Sequence, residues 1–425
     1  MYLAPRPIFV LQKKLRPSYM IKNVKNNFIF KGEEKMEKII GIIGIVLAIT
    51  IASAFSNDKK NIKWKSVGFA LITQIVLAFL MLKTPLWNVV QVIGNGFQWV
   101  FNQASEGINF VFGGISDNFV FFINSLLPIV FVSGLLGVLF HFGLIQKFVA
   151  LFGRIVAKAL DVDVIVGING ITNMFMGQSD ALFLTKAYLP SASESVVFAT
   201  LVGGMTSISM SVLGVYTGLG ADMTLLVISM PLSVLSTFML TQILMPTSYV
   251  EVKNLQIDES DKGVNFIETA VNYSNQGFKA CIGIAISLIL FLSLVGMINN
   301  LIGSFIDGVT LQSILAYIFA PFSFLMGVPK EEVMQVAELL ATRFVTNEVV
   351  AYGMPQFAML SMKAKSMITV ALSGFTGIAS IAIMIGGYSA VAKNKIPTVA
   401  SLGFKALITS TVATMITGIM VGLFI

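Results

Sequence analysis

The chain has 425 residues, 56% of them hydrophobic and 12% charged, with a mean hydropathy of +0.86 and a formal net charge of +7. A soluble globular chain carries about 25% charged residues, so the polar coat is missing and the class is an integral membrane protein. One cysteine, Cys281, and one histidine, His141, exclude an internal disulfide, a Cys/His zinc site and most nucleophile–histidine chemistry.

Residues 1–35 are basic and without periodicity, carrying Arg6, Lys13, Lys14, Arg16, Lys22, Lys25, Lys31 and Lys35. The first apolar run, "MEKIIGIIGIVLAITIASAFS", begins at Met36, and the loop after it, "NDKKNIKWK", is also basic. Both ends of one helix cannot satisfy the positive-inside rule. Residues 1–35 are therefore read as a mis-annotated or disordered basic extension, with a basic cytoplasmic tail as the other reading. No A-x-A-like site follows the run, which argues against a cleaved signal peptide. Placing "NDKKNIKWK" inside puts the mature N-terminus outside.

Further spans are expected at 67–84 and 119–143, with an amphipathic interfacial helix in "WNVVQVIGNGFQWVFNQASEGINFVFGG" between them. Others follow near 196–219, 224–245, 278–304, 366–391 and 403–425. The tally is about eight spans with both mature ends external. Basic loops fall inside, except that Lys363 and Lys365 fall outside. The segments near 162–190 and 328–355 are apolar but broken by polar residues, in "NMFMGQSDALFL" and "AELLATRFVTNEVVAY". Polar backbone at membrane depth persists only where protein buries it or it lines a cavity, so both are read as re-entrant hairpins.

"GMTSIS" at 204–209 matches "GFTGIA" at 374–379. Gly204 follows Gly177 of the first hairpin by 27 residues, and Gly374 follows Asn347 of the second by 27. A hairpin followed by a span with a Gly-x-Thr centre thus occurs twice, in opposite orientations, which is the inverted repeat of secondary transporters. The fold class is an all-α polytopic membrane protein. Its expected divisions are scaffold helices over 36–160, a first transport repeat over 161–245, a loop, scaffold span and interfacial helix over 246–327, and a second transport repeat over 328–425. A carboxylate at the centre of a lone helix costs about 2.5–3.5 kcal/mol on insertion scales. Gln178, Ser179 and Asp180 are tolerable at a hairpin tip lining a wet cavity, where they suit a neutral solute rich in hydroxyl and amide groups.

These motifs resemble those of the concentrative nucleoside transporter family of bacterial type, over essentially all of 36–425. The resemblance rests on "NMFMGQSDA", "GGMTSIS", "AELLATRFVTNEVVAY" and "GFTGIAS". It implies that Gln178, Ser179 and Asp180 read the nucleobase and that Glu338, Asn347, Phe375 and Ser380 hold the ribose. Val212 and Gly377 complete the implied pocket lining. A sodium ion would take oxygens at Asn173, Met176, Ser207 and Ile208, and the protein would be a homotrimer in the plasma membrane with no cofactor beyond its coupling ion. Glu348 is read as a structural helix-end residue. Three departures stand out: Asp180 replaces the family's Glu, Ser179 its Thr, and Gly377 an Asn. All three read as enlarging the site, so a purine preference is expected. The implied function is nucleoside uptake by sodium symport with alternating access around a midplane site between the hairpins. Proton coupling is the alternative for the ion. A nucleoside-sensing or gating protein and an intramembrane hydrolase using Asp180 and Glu338 are the alternatives for the class, and the repeat argues against the hydrolase.

Overall fold

The computed structural model describes residues 23–115, 119–252, 259 and 262–425, and among these every regular element is helical. In hydrocarbon only helices and closed barrels satisfy their own backbone groups. The scaffold opens with α1 (Asn23–Ala54), α2 (Trp64–Lys83), α3 (Leu86–Phe112), α4 (Pro128–His141) and α5 (Leu144–Ala159). The expected amphipathic helix is α3, whose buried face of Val90, Gly94, Phe101 and Ala104 keeps helical spacing. His141 closes α4, and its Nδ1 lies 2.9 Å from Thr269 Oγ1. The expected extension over residues 1–35 lies, for residues 1–22, outside the described residues. From Asn23 the backbone is continuous with the first spanning helix, and Glu34 pairs with Lys38 one turn on at 2.8 Å.

The first repeat comprises α6 (Val164–Thr172), α7 (Asp180–Phe183), α8 (Glu194–Thr206), α9 (Leu213–Gly218) and α10 (Met223–Leu244). After α11 (Phe266–Gly303) and α12 (Leu311–Leu325) comes the second repeat. It comprises α13 (Val333–Val345), α14 (Glu348–Gly353), α15 (Pro355–Met359), α16 (Met362–Leu372), α17 (Ala379–Val391) and α18 (Ile396–Phe424). Short polar side chains start these helices. Asp163, Ser193, Asp222 and Ser361 each accept a hydrogen bond from a first-turn N–H of α6, α8, α10 and α16.

Seven helical stretches among the described residues are long and apolar enough to cross a membrane. The span expected over 366–391 is not continuous: α16 ends at Leu372 and α17 begins at Ala379. The span over 196–219 is interrupted at 207–209. The two Gly-x-Thr centres are thus break points, and they meet. A Cβ on Gly374 would lie 2.7 Å from the carbonyl oxygen of Thr206 and 2.8 Å from the Thr414 methyl. Packing around the breaks is reciprocal, with α8 against α18, α16 against α10, and α10 against α18. Buried hydroxyl pairs cross between the repeats: Thr200 Oγ1 to Tyr388 Oη at 2.5 Å and Ser236 Oγ to Thr417 Oγ1 at 2.9 Å.

The discordant Lys363 is neutralised rather than misplaced. Its Nζ lies 2.6 Å from Glu37 Oε2 of α1, and Lys330 reaches Glu33 at 3.4 Å, so these acids and lysines share one end of the bundle. At another polar cluster Lys63 pairs with Asp161, whose Oδ1 also accepts from the Tyr249 amide at 3.1 Å.

Because Gly374 carries the closest approach of the two breaks, Gly374→Val should destabilise the fold by roughly 1–3 kcal/mol through overpacking. A lowered melting temperature of the detergent-purified protein checks this, and an unchanged one would show that the breaks can separate freely.

Candidate binding site between the hairpin tips

The first hairpin breaks where α6 ends. Asn173 closes that helix, and its Nδ2 donates to the Asn169 carbonyl at 2.9 Å and to Asn169 Oδ1 at 3.0 Å. Its own Oδ1 is buried without a hydrogen-bond partner. Helix α8 packs alongside this break: a Cβ on Gly203 would be in van der Waals contact with Asn173 Nδ2 at 3.7 Å. Ser207 caps the C-terminus of α8 in extended conformation, and its Oγ is likewise buried and without a partner. Two uncharged oxygens that lack donors therefore stand at the C-terminal, negative ends of two half-helices. Ile208 beside them is buried, and Met176 lies at the tip. Among the described residues no three His, Cys, Asp or Glu side chains gather to hold a metal ion. The donor set fits a hard cation held by neutral oxygens rather than a transition metal.

At the tip itself Gln178 is buried with its Oε1 unpartnered, and Ser179 Oγ donates to Asp180 Oδ1 at 3.3 Å. These residues line a cavity of about 540 Å³ together with Asn347, Phe375, Gly377, Ser380 and Val212. That volume is in the range of small-molecule sites. Asn347 caps α14 by accepting from Val350 N–H at 3.0 Å, which leaves its Nδ2 as the end of the amide for a ligand. The far wall comes from the scaffold, where Ser133 of α4 and Gln276 and Ser287 of α11 line the same space.

Two expectations change here. Glu338, expected to hold a sugar, lies within α13, accepts from Gln356 Nε2 at 3.1 Å and does not line the cavity. Glu348 takes its place: it lines the cavity, is 5% exposed, and accepts a hydrogen bond from Tyr216 Oη at 3.0 Å. The repeat register contained this signal. Gly177 and Asn347 are 170 positions apart, as are Gly204 and Gly374, and the same step carries Gln178 to Glu348 but carries Ile168 to Glu338. Gly377 also differs from expectation. A Cβ on it would lie 2.8 Å from the Thr346 carbonyl and 3.1 Å from that of Arg343, and Ile378 N–H donates to the Phe344 carbonyl at 3.0 Å. This glycine seats the α16–α17 break against the second hairpin, so it provides close packing rather than added cavity volume. Tyr216, Ser209 and Ser211 line the cavity as well and were not anticipated. The two serines lie in "SISMS" just past the Gly-x-Thr centre, where the broken helix turns.

Three family models match the chain in succession: the Na+ dependent nucleoside transporter N-terminus over residues 43–115, a nucleoside-recognition gate over 122–223, and the Na+ dependent nucleoside transporter C-terminus over 225–422. An uncharacterized transporter of Haemophilus influenzae is 33% identical over 412 residues, covering 92% of this chain and 98% of that protein. The nucleoside permease NupC of Helicobacter pylori is 28% identical over 410 residues, covering 91% of this chain and 98% of its own. The solved structure of CNTnw in an inward-facing substrate-bound state superposes with a TM-score of 0.87 at 29% identity, covering 92% of this chain and 98% of that one.

Proposed function

The chain belongs to the concentrative nucleoside transporter family, whose members are carriers rather than enzymes, and from that premise we propose that it takes up nucleosides across the plasma membrane by sodium symport. The observation that carries the binding site is the pairing of Gln178 and Glu348. These repeat-related residues, one from each hairpin, line one cavity. In this reading the Gln178 amide and the Ser179–Asp180 tip address the base. Glu348, Asn347 and Ser380 address the sugar, since a carboxylate is a strong acceptor for hydroxyl donors, and Phe375 supplies an apolar face. The scaffold wall of α4 and α11 gives the hairpins a surface to move against, which supports alternating access. The working unit is proposed to be a homotrimer.

Sodium is favoured over a proton by the chemistry around Asn173 and Ser207. Their orphaned oxygens, with the backbone carbonyls of Met176 and Ile208, can serve as ligands for a cation, and half-helix C-terminal ends suit that role. Asn169, Asn173 and Ser207 include no group that would titrate to carry a proton. In vesicles, uptake of labelled nucleoside should follow an imposed sodium gradient, and Ser207→Ala should raise the sodium concentration for half-maximal uptake. Sodium-independent uptake that a protonophore abolishes would reverse the ion assignment. Binding without net uptake would make the protein a sensor.

A purine preference is also proposed, now on two substitutions rather than three, because Gly377 does not widen the cavity. Asp180 draws its carboxylate back by one methylene relative to the Glu of the family, and Ser179 lacks a methyl at the same tip. A pyrimidine would leave polar groups there unpaired, at about 1–3 kcal/mol each. Excess uridine or cytidine should therefore compete poorly against labelled inosine. Competition equal to that of unlabelled inosine would contradict the preference.

A further inference from the structure

The 170-residue step that carries Gln178 to Glu348 also carries Thr172 to Thr342 and Asn173 to Arg343. The position that offers an orphaned oxygen in the first repeat thus holds a guanidinium in the second. Arg343 is 0% exposed, and among the described residues it and Glu348 are the only buried members of the Asp, Glu, Lys and Arg set. Its Nη1 donates to the Ala371 carbonyl in the last turn of α16 and to Thr414 Oγ1 at 3.1 Å. The helix α16 is the second-repeat counterpart of α8, and both end at a Gly-x-Thr break. The guanidinium therefore occupies the negative end of one broken helix, as the Asn173–Ser207 pair occupies the negative end of the other. Its Nε and Nη2 have no hydrogen-bond partner. A buried ion so incompletely bonded is poor packing material, and an apolar side chain of similar volume would serve stability as well or better. A guanidinium placed there at that cost points to a need for the charge.

We propose that Arg343 is a built-in cation, standing in the second repeat where an exchangeable cation binds in the first, so that one mobile cation accompanies each nucleoside. This rests on the sodium reading of the Asn173–Ser207 pair. The fixed charge holds the end of α16 and the second hairpin in the loaded arrangement throughout the cycle, while the first hairpin must fill and empty. Removing the charge while supplying the first-repeat residue, as in Arg343→Asn, leaves a helix end, the Thr414 hydroxyl and new amide oxygen free to recruit a second cation.

The test uses the full chain in proteoliposomes and reads two quantities: the sodium dependence of nucleoside uptake and the charge moved per nucleoside. The wild-type protein should give a sodium Hill coefficient of about one, and Arg343→Asn a value rising toward about two, with the charge per nucleoside rising in parallel. Arg343→Lys, which keeps the charge but not the fork, should restore the single-sodium dependence. A folded Arg343→Asn protein with wild-type Hill coefficient and charge ratio would overturn the proposal and leave Arg343 a packing residue. Where Arg343→Asn does not fold, Arg343→Lys decides. Single-sodium uptake in that variant supports the charge requirement, and its loss overturns it. Sodium-independent uptake by the wild-type protein would overturn the sodium reading and this inference with it. That outcome is distinct from a failure at Arg343 alone, in which the wild-type protein still responds to sodium.

Discussion

Four helices end inside the bundle, at Thr172, Thr206, Val345 and Leu372. Each end exposes carbonyl groups that no turn of helix satisfies, in a region where hydrocarbon cannot solvate them. The rest of the structure follows from this constraint. The ends must be buried against one another, and the Gly374 approach to the Thr206 carbonyl does that. They must also find partners, which Arg343 supplies at the end of α16 by donating to the Ala371 carbonyl. At Asn173 and Ser207 two buried side-chain oxygens stay without a hydrogen-bond partner.

The repeat turns this local requirement into a site. Reciprocal packing of α8 on α18 and α16 on α10 brings both hairpin tips to one place, so that Gln178 and Glu348 share a cavity although 170 residues separate them. The repeat is symmetric in backbone and asymmetric in chemistry. An amide stands opposite a carboxylate, and an unpartnered oxygen stands where the other half holds a guanidinium. Such asymmetry suits a ligand with unlike ends, a base on one side and a sugar on the other. Tyr216 ties the asymmetry together, since it belongs to the first repeat and donates to the acid of the second.

Much of this was legible in the sequence. Apolar runs marked the spans, polar interruptions marked the hairpins, and a six-residue match with equal spacing marked the repeat. Legibility failed where the answer depended on direction rather than composition. Glu338 and Glu348 both lie in one polar stretch, and only the register, or the fold, says which faces the cavity. The continuous span expected over 366–391 was misread for a similar reason. Its hydropathy does not register the break, because the residues in it, Ser373 to Ile378, are small or apolar; their backbone bonds are mostly short-range turns, with Ile378 N–H reaching the distant Phe344 carbonyl. From sequence alone Gly377 reads as added room in the site. In three dimensions it is the contact point between two backbones, and volume there was never available to a side chain.

The central claim is that Glu348 and Gln178 hold opposite ends of one nucleoside. Equilibrium binding to Glu348→Gln measures this most directly, with ribonucleosides compared against their 2′- and 3′-deoxy analogues. Loss of a charge-assisted bond to a sugar hydroxyl should weaken ribonucleoside binding by about 1.5–3 kcal/mol, while binding of the analogue lacking that hydroxyl changes little. An equal loss for ribonucleosides and both deoxy analogues would show that Glu348 does not touch the sugar and would contradict the placement of the ligand between the two tips.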